Sequence, residues 1–158
     1  MRKLIFALLL AAFSLGASAQ FEKGTKYVAA SLSDFGLSYN KHEDFRLGLH
    51  ATGGYFIRDG WMLLGGIGWE HFNGSDLVDV GVAGRYYMVR NGIYFNLGLK
   101  YQHTSPNLNN IYLTPEVGYC FYLNNRVSIE PAIYCDMSMN HFKDFTKIGF
   151  RIGFGYYF

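Results

Sequence analysis

Between Ile93 and Gln102 the chain alternates without a break: Ile93, Phe95, Leu97, Leu99 and Tyr101 share one parity, while Tyr94, Asn96, Gly98, Lys100 and Gln102 share the other. A helix would scatter both sets around its circumference, whereas a strand separates them onto two faces. The final segment repeats the pattern, with Ile148, Phe150, Ile152, Phe154, Tyr156 and Phe158 opposite Lys147, Gly149, Arg151, Gly153, Gly155 and Tyr157. Comparable runs cover about 26–34, 45–58, 61–70, 77–88, 111–122 and 127–138, which brings the count to eight strands. Tight hairpin signals stand at Arg58-Asp59-Gly60, Arg90-Asn91-Gly92 and Asn124-Asn125. Asp59, Asn91, Asn124 and Phe158 are spaced by 32, 33 and 34 residues, so the chain is a series of near-equal strand pairs. Looser connections at about 35–44, 71–76, 103–110 and 139–145 place short turns at one end of the sheet and loops at the other. An antiparallel meander of eight strands disposes of its edges most simply by closing into an all-β, up-and-down barrel.

The placement of charge decides which side of that barrel is polar. In strands two to eight, Arg46, Arg58, Glu70, Asp79, Arg85, Lys100, Glu116, Glu130, Asp136, Lys147 and Arg151 fall on one face and leave the other uncharged. The uncharged face ends in aromatic rows: Tyr55, Tyr86, Tyr119 and Tyr156 near the short turns, Trp69 and Tyr101 near the loops. Rings at two levels suit the two headgroup layers of a bilayer. The charged face is rich in glycine, as a narrow interior needs if it also holds long side chains. A soluble ligand carrier would reverse this, with bulky apolar residues lining its cavity. The expected fold is therefore a transmembrane barrel, closed because lipid cannot satisfy a free sheet edge.

The first 19 residues read as an export signal. Arg2 and Lys3 form a positive start, the stretch 4–15 is an apolar centre too short to span a bilayer, and Ala17-Ser18-Ala19 is a small-x-small cleavage site. The barrel domain is then 20–158. Removing Arg2 and Lys3 from 14 Lys+Arg leaves 12 against 12 Asp+Glu, so the mature chain is formally neutral and nucleic acid is not an expected partner. With 50% hydrophobic residues, 18% aromatic and only 16% charged, disorder and a coiled coil are excluded.

The export signal, the eight alternating strands and the ending Phe150-Arg151-Ile152-Gly153-Phe154-Gly155-Tyr156-Tyr157-Phe158 resemble the small outer-membrane β-barrel family of Gram-negative bacteria, the OmpA/OmpX-type barrels. The resemblance implies residence in the outer membrane as a monomer, with lipid, lipopolysaccharide and the barrel assembly machinery as partners. It also implies that Phe150, Ile152, Phe154, Tyr156 and Phe158 form the terminal signal that this machinery reads. A structural or surface-interaction role without catalysis follows.

Candidate chemistry is sparse. Arg85, Lys100, Glu116, Glu130 and Arg151 should project into one central layer, with the two glutamates bridged by the three cations as a plug that closes the lumen. His50 shares the interior parity, yet no second His or Cys stands at metal spacing from it; neither a metal nor a cofactor is expected. His103-Thr104-Ser105 resembles the His-x-Ser pair of outer-membrane lipid A deacylases, which makes a lipid-modifying enzyme the alternative. That reading needs an acid behind the histidine, and Glu116 has interior parity. Pro115 and Pro131 fall inside strands, where each removes a ladder donor and should leave a bulge or an unpaired carbonyl. Cys120 and Cys135, on opposite parities, should remain free thiols.

Overall fold

The computed structural model describes residues 21–33, 47–72, 75–88, 91–104, 108–139 and 147–158. The export signal read at 1–19 lies outside these residues, as do Arg46, Ser105 and most of the looser connections. Within the described residues each expected run contains a strand: β1 Lys26–Ser33, β2 Leu47–Arg58, β3 Trp61–Phe72, β4 Ser75–Tyr87, β5 Ile93–Thr104, β6 Leu108–Tyr119, β7 Phe121–Tyr122, β8 Val127–Ser138 and β9 Lys147–Tyr157. β7 carries β6 onward past Cys120, and both pair with β8, so nine segments make eight staves. Each stave is antiparallel to its neighbours in sequence, and β1 pairs with β9 from Tyr27↔Tyr157 to Ser33↔Arg151. That last ladder closes the barrel and leaves no edge.

The short turns have local causes. Gly60 and Gly92 both sit at φ 73°, a conformation that glycine adopts without a side-chain penalty. In the third turn, Asn124 Oδ1 accepts hydrogen bonds from the backbone N–H of Arg126 at 2.8 Å and of Val127 at 2.9 Å. The first turn also carries an irregularity between Phe56 and Arg58. This shift turns Arg58 outward and leaves it exposed, which corrects its assignment to the interior face.

The outer wall is apolar along the strands. Ile67, Val82, Leu97, Ile133 and Ile148 stand exposed around its middle, while Tyr55, Trp61 and Tyr86 lie near the short turns and Trp69 and Tyr101 near the loops. Such a wall is stable only in lipid, and the aromatic rows mark its two interfaces.

Both in-strand prolines interrupt the same seam. Between β6 and β8 the ladder runs through Leu113↔Met137, resumes at Glu116↔Tyr134, stops after Gly118↔Ala132 and resumes at Phe121↔Ile129. The register is the same across both gaps, so neither proline produces a bulge. On their other sides, Pro115↔Leu97 and Pro131↔Ile152 sit in unbroken ladders. The missing donors therefore face one another's strands. Side chains span the gaps: Thr114 Oγ1 donates to Asp136 Oδ1 at 2.7 Å and Cys120 Sγ to Glu130 Oε1 at 3.7 Å. Cys120 and Cys135 are both free.

Hydrogen exchange on the folded barrel in detergent should therefore find the amides along the β6–β8 seam exchanging ahead of those along the uninterrupted β3–β4 seam. Equal protection of the two seams would show that the prolines do not weaken the wall.

Candidate functional site

Inward-pointing positions of eight staves converge on a narrow lumen, and its contents change with height. At the short-turn end the filling is aromatic. Phe21, ahead of β1, stacks on Tyr87 with ring centroids 4.3 Å apart, and Phe56, Tyr122 and Tyr157 surround it. The segment holding Phe21 is stitched to the first turn: Gly60 N donates to Phe21 O at 2.8 Å and Lys23 N to Asp59 Oδ1 at 2.8 Å. This cap is absent from the sequence reading. Its signal was available, because Tyr27, Phe56, Tyr87, Tyr94 and Tyr157 all have interior parity within a few residues of the short turns or the terminus.

Above the cap lies a ring of ion pairs. Arg85 of β4 donates through Nη1 to Glu130 Oε2 at 2.8 Å and through Nη2 to Glu116 Oε1 at 3.4 Å. Arg151 of β9 donates to Glu116 Oε2 at 2.9 Å. Glu130 also accepts from Tyr27, Ser128 and Tyr157 at 2.7, 2.7 and 2.8 Å, so both its oxygens are engaged. The Arg85 guanidinium sits over the Tyr94 ring, 4.1 Å from its centroid. The structure thus brings Arg85, Glu116, Glu130 and Arg151 together.

Lys100 does not join them. Its Nζ donates to Asp136 Oδ2 at 2.5 Å and lies 3.9 Å from Glu70 Oε1, which corrects the expectation that it bridges Glu116 or Glu130. Counting residues from the turns ignores the tilt of the strands. In the actual register Lys100 lies opposite Tyr112, four residues along β6 from Glu116 and so about 13 Å away at roughly 3.3 Å per residue. A second charged layer therefore forms toward the loop end. Lys147 Nζ lies 3.5 Å from Glu70 Oε2 and 3.9 Å from Asp136 Oδ2. His50 stands between two carboxylates, with Nε2 3.8 Å from Glu70 Oε1 and Nδ1 3.7 Å from Asp79 Oδ1. No spacing along the chain signals that His50, Glu70 and Asp79 would meet; they come from three adjacent strands, and only their pairing unites them.

A cavity of about 90 Å³, reached by His50, Asp79, Arg85, Asn96, Thr114 and Arg151, is the space left between the layers. A space of that size has room for a few waters.

The enzymatic reading gains no geometry. His103 Nδ1 is 2.7 Å from Asn109 Oδ1, Ser105 lies outside the described residues, and Glu116 is buried in the lumen against two arginines. No nucleophile, base and acid are brought together among the described residues.

Searches for a matching family model and for a matching curated protein found none. Solved structures do match in fold. The N-terminal β-barrel domain of Pseudomonas aeruginosa OprF superposes with a TM-score of 0.66 at 15% identity, covering 86% of this chain and 98% of that one. Neisserial surface protein A matches with a TM-score of 0.60 at 11% identity over 85% and 96% of the two chains. Ail, the attachment invasion locus protein of Yersinia pestis, matches at 0.52 and 15% over 86% and 99%. The chain has the fold of the small eight-stranded outer-membrane barrels.

The observed pairing makes a sharp energetic prediction. In thermal or urea unfolding of the purified barrel, Lys100→Met and Asp136→Asn should couple by roughly 0.5 to 3 kcal/mol, while Lys100→Met and Glu116→Gln should add to within about 0.5 kcal/mol. Coupling of Lys100 to Glu116 instead would place the lysine in the lower ring.

Proposed function

We propose that this chain is a monomeric integral barrel of the Gram-negative outer membrane with a structural or surface-interaction role, its lumen closed by the internal charged network and the aromatic cap. One observation carries the reading: most of the interior is taken up by side chains that bond to one another, Glu130 with Tyr27, Arg85, Ser128 and Tyr157 above all. An eight-stranded barrel so packed has no room for a diffusion path. Its contribution then lies in what its wall and loops touch: lipid, lipopolysaccharide and molecules at the cell surface. Export through the segment 1–19 and delivery to the barrel assembly machinery through Phe150, Ile152, Phe154, Tyr156 and Phe158 complete the proposal. Phe154 and Phe158 are exposed on the outer wall, where a reader could reach them before insertion.

The test is a deletion strain compared with its complemented parent for envelope permeability to a bulky antibiotic and for surface binding of host-matrix protein and phage. A change in either that the intact gene restores is expected; no change in both would remove the structural and surface roles together. The closed lumen has its own readout. Purified barrel in planar bilayers should give no stepwise conductance, and reproducible steps would overturn the plug. Deleting Phe158 should lower outer-membrane yield in cells while the purified chain still folds in detergent. Equal loss in both settings would reduce its role to burial in the wall.

A further inference from the structure

Among the described residues, the inward-facing charges do not balance. Glu70, Asp79, Glu116, Glu130 and Asp136 face Arg85, Lys100, Lys147 and Arg151, so five carboxylates meet four permanent cations. The unmatched one is Asp79. It is 5% exposed, and among the described residues the only side chain with a cationic form within 4 Å of it is His50 and its Oδ2 has no hydrogen-bond partner. A buried carboxylate oxygen left bare is costly and calls for a partner.

The surroundings are shaped to admit one. His50 Nε2 is 3.1 Å from Ser33 Oγ; with the ring N–H donating there, Nδ1 is left unprotonated on the side facing Asp79. Fixing one imidazole nitrogen by a hydrogen bond so that the other can ligate is the usual arrangement around metal ions. Gly68, paired with His50 across the β2–β3 ladder, keeps the gap between them open, since a Cβ there would collide with both His50 Nδ1 and Asp79 Oδ2. Glu70 completes the set, and one ligand atom from each of the three lies within 4.8 Å of the other two. Glu70 also pairs with Lys147 at 3.5 Å and lies 3.9 Å from Lys100. The adjoining cavity supplies space for water in the remaining coordination positions.

We propose that His50, Glu70 and Asp79 form a binding site for one divalent cation of the zinc class inside the loop-side half of the barrel. One imidazole nitrogen and two carboxylate oxygens suit borderline cations such as Zn²⁺, whereas Mg²⁺ and Ca²⁺ favour all-oxygen shells. At Zn–N and Zn–O distances of about 2.0 to 2.2 Å, tetrahedral ligands stand roughly 3.3 Å apart. The present 3.7 Å between His50 Nδ1 and Asp79 Oδ1, within a set whose ligand atoms all lie inside 4.8 Å of one another, is brought to this spacing by side-chain rotation. The cation would supply the charge that Asp79 lacks and tie β2, β3 and β4 together near the loops.

The full chain, refolded in detergent and stripped with EDTA, should bind one equivalent of Zn²⁺ saturably by calorimetry, reject Mg²⁺, and develop ligand-field absorption when loaded with Co²⁺. Asp79→Asn and His50→Gln should each weaken Zn²⁺ binding at least tenfold. His71→Ala, which removes the exposed His71–Asp76 pair at the surface, should leave it unchanged. Absence of saturable binding in the unmodified chain overturns the proposal whether or not the variants fold. So does binding that survives both interior variants, or that is lost with His71.

Discussion

Lipid offers no hydrogen bonds, and that single constraint organises the molecule. A backbone that meets hydrocarbon must satisfy every N–H and C=O from within, which for strands means closure. The β1–β9 ladder supplies it. Once eight staves close, the lumen is only wide enough for side chains, so whatever points inward must pack and pair there. Even the two prolines obey the constraint. Their missing donors face a single seam, where Thr114 with Asp136 and Cys120 with Glu130 make side-chain contacts across the gaps, while the ladders on either side of that seam stay whole.

The narrow lumen then sorts its contents by chemistry. Rings fill the short-turn end, where Phe21 reaches in from ahead of β1 and stacks on Tyr87. Charges fill the middle and the loop side, and each must find a partner because an uncompensated charge in such a place costs several kcal/mol. Glu116 and Glu130 find theirs in Arg85 and Arg151, with tyrosine hydroxyls completing Glu130. Asp136 finds Lys100. Among the described residues Asp79 has only His50 within ion-pair reach, and its Oδ2 is left bare, which is where the proposed cation would sit. On the proposed reading a barrel closed by its own side chains works through its surfaces, and the proposed cation near the loops would act on their anchoring strands rather than on transport.

Strand positions, inward and outward faces, the aromatic rows and the free cysteines were legible in the sequence, because each depends on a period of two or on spacing along a single strand. Leu97 and Lys100 differ in parity, and parity alone decides that one meets lipid and the other the lumen. Partnership inside the lumen was not legible. Lys100 and Glu116 stand at similar counts from their turns, yet strand tilt places Lys100 opposite Tyr112 and hands it to Asp136 on β8. Arg58 escaped its parity because the ladder is irregular beside it. Phe21, outside any alternating run, packs because the barrel end leaves a hole that only a ring fills, and His50, Glu70 and Asp79 meet because three strands align. Alternation is a property of one strand and survives in its sequence; height and neighbourhood belong to the register and tilt of all eight, which exist only once the barrel has closed.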